Sequence, residues 1–339
     1  MVAAPSPEEV AADLAHLGLP VRGPLRLEPI PGDAGARSYL RVRHGGGSLI
    51  LMQVPLKADL ELGGAPAAGG ELPYLNVGRY LAGLGLPVPK VHGWDPGTRR
   101  LYQEDFGSRP LSVAAGPGPE GAAEAYRPAV DLLAEFQRLT SRPDPECLGF
   151  RRRFEPAAVR SELAEFAAAG LPHRASRAPS AAEAARLDVE LDAVAAEVAA
   201  LPACFSHRDY HADNLLCRPE GGIGIIDFQD AFLAPRFYDL ASLLTDRTAP
   251  VRLGSGLEPL LDRFSAARGI PPAAARREFW TAALQRQLKV ACRFVNLARR
   301  GKPAYLDYLP ATWGVIARAL PRAGRGGLGA LLSDLGCPV

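Results

Sequence analysis

Residues 206–216 read SHRDYHADNLL, and the stretch IGIIDFQDA follows at residues 223–231. Each stretch joins polar and acidic residues to a short apolar run. The segment between them contains Pro-Glu-Gly-Gly, which is typical of a tight turn between two strands. The two stretches therefore predict a small β-hairpin whose open end carries acidic side chains.

Pairing the two arms places Asn214, at the start of the first strand, near Asp227, at the end of the second. A carboxylate and an amide oxygen suit a hard cation such as Mg²⁺, which also keeps waters and takes phosphate oxygens. Asp209 precedes Asn214 in the loop that leads into the hairpin. Its carboxylate can act beside the metal as a base for a hydroxyl proton. The pattern therefore predicts a base and a metal ligand on one loop.

The composition is that of a globular protein with one large or two smaller domains: 339 residues, 47% hydrophobic and 22% charged. A formal net charge of +2 is too small to indicate nucleic-acid binding or a polybasic membrane anchor. No apolar run is long enough for a transmembrane helix, and acids occupy the positions where a signal peptide needs basic residues. Five scattered cysteines match no metal-binding spacing and indicate reduced thiols. We therefore expect a cytoplasmic protein without nucleic-acid or membrane partners.

Hydrophobic periodicity divides the chain into a β-rich N-terminal third and a helical remainder that carries one small hairpin. The Gly- and Pro-rich residues 115–121 indicate a junction, and we place the domain boundary between an N-lobe of residues 1–106 and a C-lobe of residues 107–339. Helices are predicted at residues 7–18, 72–85, 122–140, 156–169, 180–200, 236–247, 257–268, 273–300 and 308–320. Strands are predicted at residues 25–30, 39–44, 48–54, 88–94 and 101–107, and short strands around 203–206, 214–217 and 223–228.

His207-Arg208-Asp209 followed by Asn214 resembles the kinase catalytic loop H-x-D-x-x-x-x-N, and Asp227-Phe228 resembles the metal-binding Asp-Phe-Gly motif. With HRDYHADNLL, IIDFQDA and YDLASLL, the sequence more closely resembles the aminoglycoside phosphotransferase family of kinase-like small-molecule kinases. Further stretches resemble, within it, the bacterial anomeric N-acetylmuramate/N-acetylglucosamine kinases of cell-wall recycling. These stretches include GDAGARSYLRV, GLPVPKV, LYQEDFG and LKVACRFVNLARRGKPAYLDYLP.

This resemblance implies an α+β, protein-kinase-like two-lobed fold with a small β-rich N-lobe and a larger helical C-lobe. It implies an ATP- and Mg²⁺-dependent sugar kinase that phosphorylates the anomeric hydroxyl of N-acetylmuramate and/or N-acetylglucosamine. It also implies a pathway link to a nucleotidyltransferase. Two alternatives stay open: a kinase for another small alcohol, such as an aminoglycoside, choline or another sugar, and a non-catalytic nucleotide-binding pseudokinase.

The resemblance also implies roles for single residues. Asp209 would be the catalytic base, and Asn214 and Asp227 would hold Mg²⁺. Asp239 would be the family's structural aspartate. A glycine-bearing loop would cover the ATP phosphates, and the segment 103–106 would meet adenine through backbone groups. The residues assigned to nucleotide binding are Gly32, Asp33, Gly35, Ser38, Gln103 and Asp105.

Four residues are candidates for the substrate pocket, each with a purely structural alternative: His211, Gln229, Asp230 and Arg286. Arg286 belongs to residues 280–302, which contain six basic residues and no acid. Three of these, Arg286, Lys289 and Arg293, fall on one helical face. A basic face would suit an acidic sugar such as N-acetylmuramate, which carries a lactyl carboxylate, but not a polycationic aminoglycoside. The alternative is a solvated basic surface.

One position departs from the kinase pattern. Met52 stands on the third strand where kinase-like folds usually carry a Lys for the α- and β-phosphates. Arg37, Arg41 or Lys57 could supply the missing charge, and Glu71, near the next helix, has no such Lys to pair with. The absence of a lysine at this position is the feature that favours the pseudokinase alternative.

Overall fold

A computed structural model of the chain describes residues 4–30, 37–55, 71–116 and 118–339. The contacts divide the chain into two compact units. Unit 1 takes Met1–Ser108 together with Cys217–Gln229, and unit 2 takes Arg109–Leu216 together with Asp230–Val339. The sequence-based division lay at residues 106 and 107, and it placed residues 217–229 in the second lobe. In the structure this segment groups with unit 1.

Unit 1 contains a five-stranded antiparallel sheet in the order β1-β2-β3-β5-β4. The predicted strands and helices of this region are confirmed, with ends that differ by a few residues. The elements are α1 (Pro7–His16), β1 (Arg26–Ile30), β2 (Ser38–His44), β3 (Gly47–Gln53), α2 (Pro73–Gly83), β4 (Val91–Asp95) and β5 (Arg100–Glu104).

Helix α1 covers the sheet and is fixed at both its start and its middle. Ser6 caps its first turn and forms a capping box with Glu9. Asp13 is buried, and its carboxylate accepts hydrogen bonds from the Tyr102 hydroxyl (2.7 Å) and from Arg100 (3.1 Å). These bonds satisfy the buried charge and attach α1 to β5. The apolar side chains of the helix and the sheet form one buried cluster: Val10, Leu14, Leu40, Val42, Leu51 and Tyr102.

Unit 2 is mainly helical, as the sequence predicts. Its strand β6 (Ala203–Ser206) pairs with β9 (Phe232–Pro235). The short strands β7 (Leu215–Cys217) and β8 (Ile223–Ile225) form a hairpin where the chain passes from unit 2 into the segment that groups with unit 1. The helices are α3 (Leu111–Ala114), α4 (Gly118–Leu139), α5 (Pro156–Glu165), α6 (Leu171–Arg174), α7 (Ala181–Ala200), α8 (Tyr238–Thr245), α9 (Ala249–Leu253), α10 (Leu257–Ala267), α11 (Pro272–Arg299), α12 (Leu309–Arg322) and α13 (Gly326–Asp334).

Helix α11 is the central element of unit 2. It contacts α5, α8 and α12, and every residue from 279 to 288 is buried. A helix that is buried all round needs internal partners for its polar side chains. Gln287 finds one in the last turn of α8, where its amide donates to the Thr245 carbonyl at 2.8 Å. Arg286 lies in the same buried stretch and faces the loop that carries the proposed base.

Within the described ranges of the chain, the helices lack the combination of length and apolar character that crossing a bilayer requires.

Candidate active site

The second arm of the β7–β8 hairpin is anchored in unit 1. The Ile225 amide donates to the Pro87 carbonyl at 2.7 Å. The backbone of Gly224 approaches the Phe106 ring so closely that a Cβ at this position would come within 2.2 Å of the ring. The Arg218 guanidinium also lies over the Phe106 ring, 4.6 Å from its centre. These contacts fix the chain just before Asp227.

Asp227 follows the anchored arm in a left-handed backbone conformation, with φ of 63°. Non-glycine residues seldom adopt this conformation, although Asp does so more readily than most, and such residues cluster at active sites. Its side chain is 39% exposed and accepts a hydrogen bond from Gln229 at 2.9 Å. Arg37 lies 4.0 Å from the same carboxylate oxygen. The next residue, Phe228, is buried against Tyr74 with ring centres 4.6 Å apart, which holds the Asp227 backbone in place.

Two of the predicted nucleotide-binding residues in unit 1 are held by side-chain bonds. Gln103 is buried in β5 and accepts a hydrogen bond from Tyr74 at 2.5 Å. Asp105 accepts bonds from Arg41 at 2.6 and 3.0 Å and from Ser48 at 2.7 Å. Burial would raise the pKa of Asp105, but these bonds hold it below its usual value. Both side chains therefore shape the segment after β5 and leave its backbone as the part that could meet a nucleotide.

The remaining predicted nucleotide-binding residues lie before or at the start of β2. Ser38 is the first residue of β2 and is exposed. Gly32, Asp33 and Gly35, and with them Lys57, lie outside the described residues.

The residues that could replace the charge of the missing lysine differ in their positions and partners. Met52 is fully buried in β3, opposite Tyr39 of β2. Arg41 is engaged by Asp105, as described above, whereas Arg37 is the candidate that lies near Asp227. Glu71 pairs at 2.8 Å with Arg79 of the following helix, so its carboxylate is satisfied without a lysine.

In unit 2, the loop after β6 is held by Asp239 at the start of α8. The Asp239 carboxylate accepts bonds from the Ser206 hydroxyl (2.8 Å) and from the backbone N–H groups of His207 (2.7 Å) and Arg208 (3.0 Å). Arg208 has φ of 79°, a conformation that these bonds stabilise. Burial raises the pKa of Asp239, and the bonds to His207 and Ser206 oppose this effect. The loop therefore leaves β6 in one fixed direction.

The rest of the loop is fixed by its own side chains. Tyr210 is fully buried and its hydroxyl donates to the Ala129 carbonyl of α4 at 2.9 Å. The Asn214 side-chain amide donates to the Asp209 carbonyl, also at 2.9 Å. Since the amide nitrogen of Asn214 is used in this bond, its oxygen is the atom left for a metal.

Asp209 is partly exposed and lies next to a buried arginine. Its side chain is 25% exposed, and Arg286, whose side chain is only 4% exposed, lies 3.9 Å away. Arg286 is also 3.9 Å from Asp246 and donates to the Arg208 carbonyl at 3.3 Å. The predicted contact of Arg286 with substrate stays a prediction, while its contact with Asp209 is observed.

The cations of α11 decide the ionisation of Asp209. Burial alone would raise the pKa of this carboxyl, but Arg286, Arg293 and Lys289 together lower it well below its usual value. Asp209 is therefore ionised at neutral pH.

A cavity of about 180 Å³ lies beside the loop within unit 2. His211 and Asp213 form one wall, and Asp246 and Tyr308 contribute to the others. Burial lowers the pKa of His211, so its ring is neutral at pH 7. The structure thus brings one predicted substrate residue, His211, to the wall of a cavity that is also lined by Asp246, a neighbour of Arg286.

The two other candidates for the substrate pocket lie in different units. Gln229, in unit 1, is 2% exposed and orients Asp227. Asp230, in unit 2, lies 3.8 Å from Arg208 and keeps a partly exposed carboxylate. Their contact with substrate stays a prediction.

Sequence reasoning missed Asp246 and Glu162. Glu162 pairs with Lys289 at 2.6 Å and accepts a bond from Gln285. Asp246 could have been found, because it follows Asp239 by seven residues, the spacing of two helical turns, and comes directly after the last residue of α8. Glu162 gave no comparable signal, since its partner is distant in the sequence.

The chain is similar to known phosphotransferases over most of its length. A family model described as "Phosphotransferase enzyme family" matches residues 26–280. An N-acetylmuramate/N-acetylglucosamine kinase of Caulobacter vibrioides is 32% identical over 91% of each chain. The protein of the same name from Pseudomonas aeruginosa is 29% identical over 92% of this chain and 89% of its own.

Two solved structures share the fold. A choline/ethanolamine kinase family protein from Mesorhizobium loti superposes with a TM-score of 0.58 at 18% identity, over 97% of this chain and 98% of its own. An aminoglycoside phosphotransferase from Streptomyces rimosus, in complex with ADP and streptomycin, has a TM-score of 0.53 at 20% identity, over 84% of this chain and 99% of its own. They confirm the predicted kinase-like fold. With the fold, the loop motifs and the family match in agreement, the chain belongs to the phosphotransferase enzyme family.

Proposed function

We propose that this phosphotransferase is an ATP-dependent kinase that phosphorylates the anomeric hydroxyl of N-acetylmuramate and/or N-acetylglucosamine. Relatives of that name are similar over about nine tenths of both chains, which supports the proposed acceptor. The observation that carries the chemistry is Asp209, an ionised and partly exposed carboxylate on a loop that Asp239 fixes. A rigid carboxylate of this kind can accept a hydroxyl proton without first losing its own.

Asp209 would orient the sugar hydroxyl and take its proton as the phosphoryl group is transferred. Phosphoryl transfer passes through a loose transition state, so orientation and charge neutralisation contribute more than base strength. A carboxylate with a lowered pKa is a weak base, but an anomeric hydroxyl is more acidic than an ordinary alcohol. The pairing of this base with this acceptor is therefore chemically consistent.

Asn214 and Asp227 would hold Mg²⁺. Each residue offers an oxygen of the kind that Mg²⁺ prefers. The Asn214 amide nitrogen is already bonded, so its oxygen is left to coordinate, and Asp227 keeps a partly exposed carboxylate. Mg²⁺ would neutralise charge on the phosphates. Arg37, near Asp227, is the cation we assign in place of the lysine that Met52 replaces.

ATP would meet backbone groups of the chain at two segments. Gly32, Asp33, Gly35 and Ser38 would cover the phosphates, and the segment at Gln103 and Asp105 would meet adenine. We also propose a cytoplasmic location, where ATP is present, and a nucleotidyltransferase that uses the sugar phosphate.

The experiment is a coupled ADP-release assay with Mg-ATP and a panel of acceptors: N-acetylmuramate, N-acetylglucosamine, glucose, kanamycin and choline. We expect stimulation by the N-acetyl sugars and a loss of kcat of roughly 10²- to 10⁴-fold in Asp209→Asn. Asp262→Asn is the matched control, because Asp262 is an exposed residue that pairs with Arg276 on the surface.

Stimulation by kanamycin or choline alone would replace the sugar with another alcohol as the acceptor. Full acceptor-stimulated activity in Asp209→Asn would refute the role of Asp209 as the base. ADP release that no acceptor stimulates would favour the pseudokinase alternative.

A further inference from the structure

The three cations on one face of α11 differ in their partners. Arg286 is buried between Asp209 and Asp246, so its charge is shared by two carboxylates. Lys289 is mostly buried and pairs with Glu162 at 2.6 Å. Arg293 is exposed, and within the described part of the chain it makes neither a hydrogen bond nor an ion pair. One cation of this face therefore has a charge that is free to bind a ligand.

The position of Arg293 relates it to the proposed base. It lies seven residues, or two helical turns, beyond Arg286, which corresponds to about 10 Å along the helix axis on the same face. Its neighbour Phe294 packs against Tyr308 with ring centres 5.5 Å apart, and Tyr308 lines the cavity that His211 also lines. With Arg286 and Lys289, the Arg293 guanidinium contributes to lowering the pKa of Asp209.

We infer that Arg293 binds the carboxylate of an acidic sugar and thereby distinguishes N-acetylmuramate from N-acetylglucosamine. This inference rests on the proposed function. The two sugars differ by the lactyl ether at C3, which is two ring carbons from the anomeric carbon and adds one negative charge. Arginine suits this group because its planar fork can donate two parallel hydrogen bonds to a carboxylate.

The other two cations of the face are poorly placed for this role. A sugar carboxylate that approached Arg286 would meet Asp209 and Asp246 beside it, and like charges would repel it. At Lys289 it would compete with Glu162. The unpaired, exposed Arg293 has neither obstacle.

The test compares kcat/KM for the two sugars in the wild type, in Arg293→Gln and in Arg293→Lys. Loss of a charge-assisted hydrogen-bond pair predicts a fall of roughly 10- to 100-fold for N-acetylmuramate in Arg293→Gln, mostly through KM. The value for N-acetylglucosamine should not change. Arg293→Lys should keep part of the preference, since it retains the charge without the fork.

Arg299→Gln is the matched control, because Arg299 is exposed in the last turn of the same helix but on another face. It should leave both sugars unaffected. An equal loss for both sugars in Arg293→Gln would mean that Arg293 acts only through the ionisation of Asp209, and it would overturn the inference. An unchanged value for N-acetylmuramate, or a wild type that phosphorylates only N-acetylglucosamine, would also overturn it while the proposed function stands. A wild type that phosphorylates neither sugar would refute both.

Discussion

At the scale of single residues, a buried cation sets the charge of the proposed base. Asp209 is mostly buried, and burial favours the neutral form of a carboxyl. Arg286 lies 3.9 Å below it and, with the neighbouring cations of α11, keeps it ionised. The same guanidinium lies 3.9 Å from Asp246. Removal of Arg286 would thus leave two carboxylates without their common partner.

We predict that Arg286→Met raises the pKa of Asp209. In the wild type this pKa lies below the usual value of about 3.9, so Asp209 should not limit kcat/KM between about pH 5 and 8. In the variant, the acid limb of the pH profile should move to higher pH. The measurement is kcat/KM against pH, with Arg299→Met as the control that leaves the profile unchanged.

The same substitution should lower the free energy of unfolding by about 3–5 kcal/mol, as expected when one partner of a buried ion pair is removed. A depressed carboxyl pKa stabilises the folded state above the unfolded pKa of about 3.9, and this contribution disappears as the pH falls through the folded value. Arg286→Lys, which keeps the charge, should show smaller effects. Wild-type pH dependence and stability in Arg286→Met would contradict this role of Arg286.

A second prediction concerns Met52, which stands where kinase-like folds usually carry a lysine. Because Met52 is fully buried, Met52→Lys would bury a charge, and we expect a loss of stability of at least about 3 kcal/mol with no gain in kcat. Met52→Leu, which conserves the volume, should lose less than about 1.5 kcal/mol. Thermal unfolding and the ADP-release assay measure both effects. A more active and equally stable Met52→Lys would show that this position is open to the phosphates.

At the scale of elements, the β7–β8 hairpin depends on a close contact rather than on its own length. Its strands have three residues each, so the hairpin needs support from outside. Gly224 provides it by letting the backbone approach the Phe106 ring, and Ile225 adds a hydrogen bond to Pro87.

We therefore predict that Gly224→Ala lowers stability by about 1–3 kcal/mol through overpacking against Phe106. It should also lower kcat, because it displaces the chain that carries Asp227. The control is Gly83→Ala in α2, where a Cβ meets open space and stability should be equal or slightly higher. Thermal unfolding of the two variants checks this, and equal stability of Gly224→Ala and the wild type would contradict the anchoring contact.

Elements with strong local signals could be predicted from the sequence. Helix α7 was expected at 180–200 and occupies Ala181–Ala200, because Ser180 and Glu183 form a capping box in front of a run of good helix formers. Strand β6 was expected at 203–206 and has those limits. Here the local sequence alone determines where the element starts and stops.

Elements that depend on distant partners could not be predicted from the sequence. Strand β9 (Phe232–Pro235) was not predicted, since it is short, ends in proline, and owes its existence to pairing with β6. The junction expected at residues 115–121 was partly wrong, because α4 already begins at Gly118, and the first turn of a helix tolerates glycine and proline. The turn of π-helix at Phe166–Gly170, between α5 and α6, also has no local signal.

Across the whole chain, the three motif residues are divided between the two units. Asp227 belongs to unit 1, whereas Asp209 and Asn214 belong to unit 2. The motifs identified these three residues from their spacing. The spacing of Arg286, Lys289 and Arg293 predicted a shared face, but it could not tell which cation is buried, which is paired and which is free. That distinction depends on how α11 packs against α5 and α8.

Phosphorylation at the anomeric hydroxyl can be tested by comparing N-acetylglucosamine with its methyl glycoside, in which that hydroxyl is blocked. With Mg-ATP, we predict ADP release with the free sugar and none with the glycoside. Phosphorus NMR of the product should show the phosphate coupled to the anomeric proton. Phosphorylation of the glycoside, or a phosphate on another hydroxyl of the free sugar, would contradict an anomeric kinase.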